Sequence, residues 1–168
     1  RGSVAVFGYL YEIDDLIERY SEDGANFFFR NRGEAEIEGF EIEAQSPLAA
    51  GFTLELAITL AKGETADGQP VDDIPAHGGF ATLRWANERL FAYGRVGSFQ
   101  EDDRPGPIEV ERPGYTTFDL GAGWHLSELL ELRLAGRNLT DERYWESADA
   151  TATLARGRAF TLGLVGRI

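Results

Sequence analysis

Apolar side chains alternate with polar or small ones along most of this chain, which is the pattern of β-strands that have one apolar face. The clearest predicted strand covers residues 52–61, where every second residue is large and apolar. Similar alternation recurs in residues 115–126, 130–134 and 157–168. Less regular segments occupy residues 3–13, 26–44, 74–86 and 89–100. The sequence therefore predicts about eight strands.

The predicted connections alternate between two lengths. The long set comprises residues 21–25, 62–73, 101–114 and 141–156, and the short set comprises residues 46–51, 87–88 and 127–128. Consecutive antiparallel strands place alternate connections at opposite ends of a sheet, so each set lies at its own end. Short turns at one end and long loops at the other are typical of up-and-down antiparallel barrels of the outer membrane.

The face opposite the apolar residues carries charges interspersed with Gly, Ala and Thr. These charged residues are Glu55, Asp119, Glu131, Arg133, Arg137 and Arg167. An unpaired buried charge costs several kcal/mol, so this face needs water or ion pairs. A closed barrel with lipid outside and a wet lumen satisfies both faces. The pattern favours an all-β, antiparallel, up-and-down transmembrane β-barrel, with a soluble β-sandwich or lipocalin-like barrel as the alternative.

The apolar positions change parity within residues 26–44. Ala35 and Ile37 are apolar at odd positions before Gly39, whereas Phe40 and Ile42 are apolar at even positions after it. One extra residue in a strand turns every later side chain to the other face. The sequence therefore predicts a β-bulge or kink at Gly39.

Composition removes several classes of function. The net charge is −13, from 29 acidic and 16 basic residues, which argues against binding to nucleic acid. There is no Cys, which excludes disulfides, thiolate metal sites and cysteine nucleophiles. His77 and His125 are the only histidines, and Asp119 lies about 20 Å from His125 along an extended strand. We therefore predict no catalytic residue, no metal site and no cofactor.

A seven-residue stretch near the end of the chain resembles the Asn-Leu-(Phe/Thr)-Asp-x-x-Tyr signature of TonB-dependent outer-membrane receptors. Its matching positions are Asn138, Leu139, Asp141 and Tyr144. Three shorter matches follow the family's order: Gly39 and Glu41 in a Gly-x-Glu strand, Pro75 and His77 in an Ile-Pro-x-His strand entry, and Gly157 with Arg158 at the start of the final strand. Together these motifs span nearly the whole chain.

The resemblance implies a 22-stranded barrel that is plugged by an N-terminal domain. Residues 1–168 are then expected to supply about the last eight strands, with the plug and the earlier strands absent from this sequence. The resemblance also implies the outer membrane of a Gram-negative bacterium, contact with lipid and lipopolysaccharide, and energy from TonB through the missing plug. The family usually ends on an aromatic residue, whereas this sequence ends on Ile168.

The implied function is active uptake of a scarce, bulky nutrient. An iron-siderophore complex is the default substrate, and cobalamin, haem or oligosaccharide remain open. One rival interpretation is a small, self-closed barrel enzyme of the outer membrane, which the two distant histidines disfavour. The other rival is a soluble β-barrel that binds a small ligand.

The long loops hold the candidate ligand contacts, Asp102, Asp103 and Trp145. Two acidic groups in these loops suggest Ca²⁺ bridges to lipopolysaccharide or attraction of a cationic ligand, although solvated loop charge is the simpler explanation. They are Asp67 with Asp72 and Asp73, and Glu101 with Asp102 and Asp103. Asn138 and Asp141 are expected to cap the strand exit by bonding local backbone. Tyr144 and Trp145 are expected in the aromatic belt at the outer interface of the membrane.

Overall fold

A computed structural model of the protein describes residues 1–166, so the end of the last predicted strand, Arg167 and Ile168, lies outside the described residues. The described chain is all-β. Its strands are β1 (Ser3–Ile13), β2 (Ile17–Ser21), β3 (Phe27–Asn31), β4 (Ala35–Pro47), β5 (Phe52–Thr65), β6 (Gly78–Ala86), β7 (Leu90–Phe99), β8 (Tyr115–Ser127), β9 (Leu130–Arg137) and β10 (Ala159–Gly166). Within this part of the chain, no helix is long and apolar enough to cross a membrane.

Eight strands form one antiparallel sheet in the order β1-β4-β5-β6-β7-β8-β9-β10, while β2 and β3 pair separately as a hairpin. From β4 onward each strand lies beside the next one in sequence, which confirms the up-and-down arrangement. The sheet is open, with β1 and β10 at its edges. The single strand predicted at residues 26–44 is wrong, because the chain turns at Gly33, where φ is 82°, and divides into β3 and β4.

All long connections of the sheet lie at one end, which we call the loop end. They are L1 (residues 14–34, which include the β2–β3 hairpin), L2 (66–77), L3 (100–114) and L4 (138–158). The connections at residues 48–51, 87–89 and 128–129 lie at the opposite end, which we call the turn end. The predicted alternation of long and short connections is confirmed, with L2 beginning four residues later because β5 extends to Thr65.

The two faces of the sheet differ in chemistry as the sequence predicts. The apolar face exposes large side chains along every strand, including Val6, Phe40, Ile58, Leu83, Leu120, Trp124, Leu134, Phe160 and Leu162. On the opposite, polar face, Arg84 Nε donates to Glu55 at 3.0 Å, and Arg95 lies across from Asp119 in the β7–β8 ladder. Opposite charges on adjacent strands neutralise each other, so this face tolerates a high density of charge.

The predicted bulge at Gly39 is wrong. The β4 ladder runs without a shift on both sides, and Gly39 lies opposite Tyr9 in β1 and Ala61 in β5. Ile37 and Phe40 are three residues apart in a regular strand, so they face opposite sides of the sheet. The register irregularity in the described sheet lies instead between β8 and β9, at residues 125–127.

The surroundings of β4, not its register, explain the change of parity. Phe40 lies on the apolar face, where it is 42% exposed. Nearer the loop end, Ile37 lies on the polar face opposite Gly63, and L2 covers this position with Val71 and Ile74. The polar face is therefore apolar locally, because a loop shields it from water.

Five aromatic rings lie directly against glycines on the polar face. Each ring belongs to the direct cross-strand partner of its glycine, in the pairs Tyr9–Gly39, Phe80–Gly97, Phe99–Gly78, Phe91–Gly123 and Tyr93–Gly121. A Cβ atom at any of these glycines would lie 2.1 to 2.7 Å from a ring atom. The rings therefore require glycine beneath them, which accounts for part of the high glycine content.

Candidate functional site

The long loops fold back over the polar face at the loop end. In L2, the buried Val71 packs with Ile74 against Gly63 of β5. In L4, the ring of Tyr144 stacks on Tyr115 of β8, with 4.1 Å between the ring centroids. A ligand that arrives from the loop end therefore meets the loops and the polar face together.

A short ladder of backbone hydrogen bonds joins L3 to L4. The Val110 N–H donates to the Ala148 carbonyl at 2.9 Å, and the Ala150 N–H donates to the Ile108 carbonyl at 3.3 Å. Backbone pairing of this kind fixes the relative position of two loops more strongly than isolated side-chain contacts. L3 and L4 thus behave as one unit.

Asp149 in L4 contacts an arginine from each of two other loops. Arg112 in L3 donates from Nη2 to the Asp149 carbonyl at 2.9 Å, and its guanidinium carbon lies 4.6 Å from the centre of the Trp145 ring. Arg19 in the L1 hairpin approaches the Asp149 carboxylate at 3.4 Å. These contacts extend the unit formed by L3 and L4 to the hairpin.

Two carboxylates, one in L2 and one in L3, each accept a hydrogen bond from a backbone N–H of the other loop. We call this arrangement the reciprocal clasp. Asp72 in L2 accepts a hydrogen bond from the Ile108 N–H in L3 at 3.1 Å. Glu109 in L3 accepts from the Asp73 N–H in L2 at 2.9 Å with Oε1, and from the Gly106 N–H at 2.8 Å with Oε2. Each loop therefore supplies the acceptor for a backbone donor of the other.

The clasp holds an unusual carboxyl group. Burial raises the pKa of Asp72 to about 6, although the hydrogen bond from the Ile108 N–H opposes this rise. The negative charges of Glu109, Glu18 and Asp73 raise the pKa of Asp72 further. The expectation that the acidic group around Asp72 is merely solvated is therefore wrong for this residue, which is partly buried.

A buried glutamate anchors the L1 hairpin beside this clasp. Glu18 is 5% exposed and accepts hydrogen bonds from Arg30 Nε at 3.0 Å and Nη2 at 2.9 Å, while Arg32 Nε lies 3.5 Å away. All three contacts use Oε2, and Oε1 is buried without a hydrogen-bond partner among the described residues. Two arginines therefore balance one carboxylate at the base of the hairpin.

Asn138, the first residue of the signature, bonds backbone groups near both the start and the end of L4. It is 4% exposed, and its φ of 48° belongs to the left-handed region that asparagine tolerates. Its Nδ2 donates to the carbonyls of Glu142 at 2.9 Å and Arg156 at 3.3 Å, and its Oδ1 accepts from the Glu142 N–H at 2.8 Å. Its own N–H donates to Asp119 at 2.8 Å. The geometry fits the expected cap.

Asp141 joins the signature to the start of the last strand. Its Oδ1 accepts from the Arg158 N–H at 2.8 Å, and its Oδ2 lies 3.6 Å from Arg158 Nη2. The Arg158 N–H holds the pKa of Asp141 below its usual range. A Cβ atom at Gly157 would lie 3.0 Å from the same Oδ1, so the small residue leaves room for this bond. Leu139 adds a backbone bond to the Phe118 carbonyl at 2.8 Å.

The expectation of an outer aromatic belt is wrong for Tyr144 and Trp145. Tyr144 stacks on Tyr115, whose side chain belongs to the polar face of the sheet. Trp145 lies beneath Arg112 and lines a cavity between L2, L3 and L4. The cap at Asn138 directs L4 inward, so both rings pack under the loops.

Two of the cavities at this end of the molecule are lined in part by Tyr115. The smaller, of about 270 Å³, lies among the loops, with Asp73, Pro75, Asp102, Glu109, Arg112 and Trp145 in its lining. The larger, of about 510 Å³, lies on the polar face. Its lining combines five aromatic rings, four arginines and three carboxylates: Phe80, Tyr93, Phe99, Tyr115, Tyr144, Arg84, Arg95, Arg137, Arg156, Glu55, Asp119 and Glu146.

Arg95 is the most unusual cation in the larger cavity. Its guanidinium carbon lies 3.7 Å from the centre of the Phe80 ring. Its Nε is buried and has no hydrogen-bond partner among the described residues. Asp119, its partner in the β-ladder, also accepts the Asn138 N–H. The Nε of Arg95 is therefore a donor that the described residues leave unsatisfied.

The remaining motif residues are placed at separate points. Glu41 lies on the polar face of β4, opposite Phe7 and Thr59. His77 stands at the entry of β6, and its Nε2 lies 2.8 Å from the Ala61 carbonyl. Asp103 is an exposed residue of L3. These positions do not converge on one site, and their roles stay predictions.

The polar face holds a histidine in contact with a carboxylate, but far from the loops. His125 Nδ1 lies 3.0 Å from Glu131 at the turn end, while Asp119 bonds the Asn138 backbone near the loop end. In residues 1–166, no cluster of three or more His, Asp or Glu side chains has the geometry to hold a metal ion.

Sequence reasoning missed the residues that organise the loops. Glu109, Arg112 and Arg95 were not singled out, because their partners are distant in sequence. The clasp joins residues 36 positions apart. Only the parity of Arg95, which places it on the polar face, could have signalled its role in advance.

Comparison with known proteins connects this architecture to one family. Residues 1–139 match the family model described as "TonB dependent receptor-like, beta-barrel". A search of the curated proteins found no match.

Several solved structures share the fold. The copper transporter OprC has a TM-score of 0.90 at 18% identity, with 98% of this chain and 28% of that chain covered. The ferric yersiniabactin uptake receptor FyuA from Yersinia pestis has a TM-score of 0.79 at 18% identity, with 99% and 28% covered. The ferric-catecholate import receptor Fiu from E. coli K12 has a TM-score of 0.74 at 18% identity, with 99% and 25% covered. This chain thus spans little more than a quarter of these proteins, and it belongs to the β-barrel family of TonB-dependent receptors.

Proposed function

We propose that this chain forms one wall and the outer loops of an outer-membrane receptor that takes up a ferric siderophore with energy from TonB. The family is an outer-membrane family of Gram-negative bacteria. In that setting the loop end faces the exterior, the polar face lines the lumen and the apolar face contacts lipid. The observation that carries the proposal is the cavity of about 510 Å³ on the polar face, with its aromatic and arginine lining.

The cavity suits an anionic ligand that contains aromatic rings. Aromatic side chains stack on planar ligand groups, and guanidinium groups pair with negative oxygen atoms. Arg95 adds a guanidinium group to this lining, with its carbon 3.7 Å from the centre of the Phe80 ring. A ferric catecholate complex has both properties, because its rings carry the oxygen atoms that bind iron and its net charge is negative. We therefore infer this substrate class.

A bare copper ion fits this chain less well. Copper sites use Cys, Met and His ligands, whereas this chain has no Cys, no Met and two histidines. His77 lies at the loop end and His125 at the turn end, so the two cannot share an ion. Uptake of a metal as an organic complex is therefore the better proposal.

The chain is proposed to be the C-terminal portion of a longer barrel that also contains a plug and earlier strands. Its β1 and β10 edges are unpaired within the described sheet. In lipid, unpaired backbone groups are costly, so both edges need partners. The coverage of 25% to 28% of the solved relatives supports the same proposal. TonB is then expected to act through the plug.

Ligand binding tests the substrate class. We expect the complete receptor to bind a ferric tris-catecholate and to report it by quenching of Trp145, and Arg95→Gln to weaken the affinity about tenfold, since a lost bond to a charged group costs about 1.5 kcal/mol. The matched control is Arg133→Gln, which removes a polar-face arginine paired with Glu131 at the turn end. Absence of binding, or equal effects of both variants, contradicts the proposal.

Paired arginine substitutions in β10 test the orientation in lipid. Leu162 is 72% exposed on the apolar face, and its neighbour Thr161 lies on the polar face. We expect Leu162→Arg to lower the free energy of unfolding in liposomes by about 2 kcal/mol, because it places a charge in lipid. Thr161→Arg places the same charge in the lumen and is expected to have little effect. Equal losses would show that both faces meet the same solvent.

A further inference from the structure

We propose that Asp72 and Glu109 form a proton-controlled latch, which holds L2 and L3 together in acid and loosens near neutral pH. The latch concerns the loops alone and does not depend on which ligand the receptor takes up. It rests on the reciprocal clasp, in which Asp72 accepts the Ile108 N–H and Glu109 accepts the Asp73 N–H. Both bonds must break before L2 can separate from L3.

The latch brings negative charges together. Glu18, Asp73 and Glu109 raise the proton affinity of Asp72 through their charge. These four carboxylates line a third cavity, of about 460 Å³, together with Arg19 and Asp149. It therefore gathers charged groups from all four loops, with five carboxylates and one arginine in its lining.

The cations around the latch are already engaged. Arg30 and Arg32 contact Glu18 through its Oε2. Arg19 and Arg112 contact Asp149, through its carboxylate and its carbonyl respectively. These hydrogen bonds and ion pairs leave Asp72 facing Glu109 without a guanidinium partner in the described contacts. Ionisation of Asp72 therefore places two like charges in a partly buried site.

The sign of the pH effect follows from this geometry. Burial raises the pKa of Asp72 to about 6 when the loops are closed, from an ordinary value of 3.8. The closed state therefore binds the proton more tightly than the open state. Its stability is greatest below the ordinary value, decreases as pH rises towards 6, and is at its lowest above that pH. Between pH 5 and pH 7.5 the ratio of closed to open loops is expected to fall about tenfold.

Opening the latch would expose the smaller cavity. Asp73, Glu109, Arg112 and Trp145 all line this space of about 270 Å³ between L2, L3 and L4. L3 and L4 remain joined by their backbone ladder, so L2 is the element that separates. The latch thus controls access to the loop cavity from the side of L2.

Spin labels can measure the separation directly, because the chain has no cysteine. We choose Ala66→Cys in L2 and Pro107→Cys in L3, both of which are exposed. In the complete receptor in lipid nanodiscs, we expect one short distance at pH 5 and an additional longer distance at pH 7.5. Asp72→Asn should give the short distance at both pH values. Glu109→Gln should give the longer distance at both, because an amide has one acceptor oxygen for two N–H groups.

Two controls complete the experiment. Glu111→Gln removes an exposed L3 carboxylate outside the clasp and is expected to behave like the wild type. His77 is a second ionisable group at the base of L2, and a pH response that persists in Asp72→Asn would assign the effect to it and overturn the proposal. A wild-type distance that does not change with pH would also overturn it. Neither outcome depends on ligand binding, so the proposed uptake function is tested separately.

Discussion

Replacement of Asn138 by alanine is expected to lower the free energy of unfolding by about 3 kcal/mol, because it removes three partly buried hydrogen bonds to backbone groups at about 1 kcal/mol each. The side chain bonds Glu142 through both its N–H and its carbonyl, and also bonds the Arg156 carbonyl. Alanine also tolerates the φ of 48° less well than asparagine. Unfolding by guanidinium in liposomes measures the loss, and L4 should become sensitive to protease.

Two controls separate the side chain from the backbone. Asn138→Gly accepts the positive φ but lacks the hydrogen bonds, so it should recover only the conformational part of the loss. Asn87→Ala removes a similar cap, in which Oδ1 accepts the N–H groups of Arg89 and Leu90 at 2.8 Å, but in an exposed turn. Water replaces those bonds, so its expected cost is below about 1 kcal/mol. Equal costs at residues 138 and 87 would contradict the closing role of Asn138.

Gly79→Ala is expected to cost about 3 kcal/mol, at the upper end of the range for overpacking. A Cβ atom at Gly79 would lie 2.1 Å from the Ala57 carbonyl oxygen and 3.0 Å from the Ile58 Cα. Both obstacles are backbone atoms of β5, so the β5–β6 ladder must shift to admit the methyl group. The loss should appear as reduced stability in the same liposome assay, with faster amide exchange at the start of β6.

The matched control is Gly94→Ala, also on the apolar face. There a Cβ atom would meet the Leu120 Cδ2 at 3.3 Å. The end of a leucine side chain can move by a few tenths of an ångström, so we expect a change of less than about 1 kcal/mol. If Gly79→Ala proves as mild as Gly94→Ala, the close approach of β5 and β6 is not a constraint on this sheet.

Alternation in the sequence was sufficient to predict the sheet where a strand stays in one environment. β5 as far as Leu60, β8 from Phe118 onward and β10 keep their large apolar residues at one parity, and the structure places these residues on the apolar face. The loop lengths also predicted which end of each strand carries a long loop and which carries a short turn. Both signals are local, so neither needed knowledge of distant contacts.

Periodicity failed at β4 because it reports the surroundings of a strand as well as its register. Ile37 is apolar since Val71 of L2 covers the polar face there, and that loop is distant in sequence. A β-bulge and a loop that covers part of the polar face produce the same change of parity in the sequence. Only the partners of Gly39, which are Tyr9 and Ala61 in unbroken ladders, distinguish them.

The candidate site was less predictable than the sheet. The side chain of Asn138 bonds the local backbone of Glu142 as expected, because Asn favours such caps. The side chain of Asp141 instead bonds the Arg158 N–H, 17 residues further along the chain. The inward path of L4 and the clasp between Asp72 and Glu109 depend on contacts between separate loops. Single-sequence patterns carry little information about such contacts, since any exposed loop tolerates the same residues.

The pairs of ring and glycine have a consequence for the relief of the polar face. The rings of Tyr9, Phe91 and Tyr93 each occupy the space that a side chain on the neighbouring strand would fill, because a Cβ atom at the partner glycine would lie 2.1 to 2.2 Å from a ring atom. The polar face therefore has less relief at these points than it would have with a second side chain beside each ring. In the proposed receptor this face lines the lumen, where a smoother wall would offer a plug or a bulky cargo less to catch on.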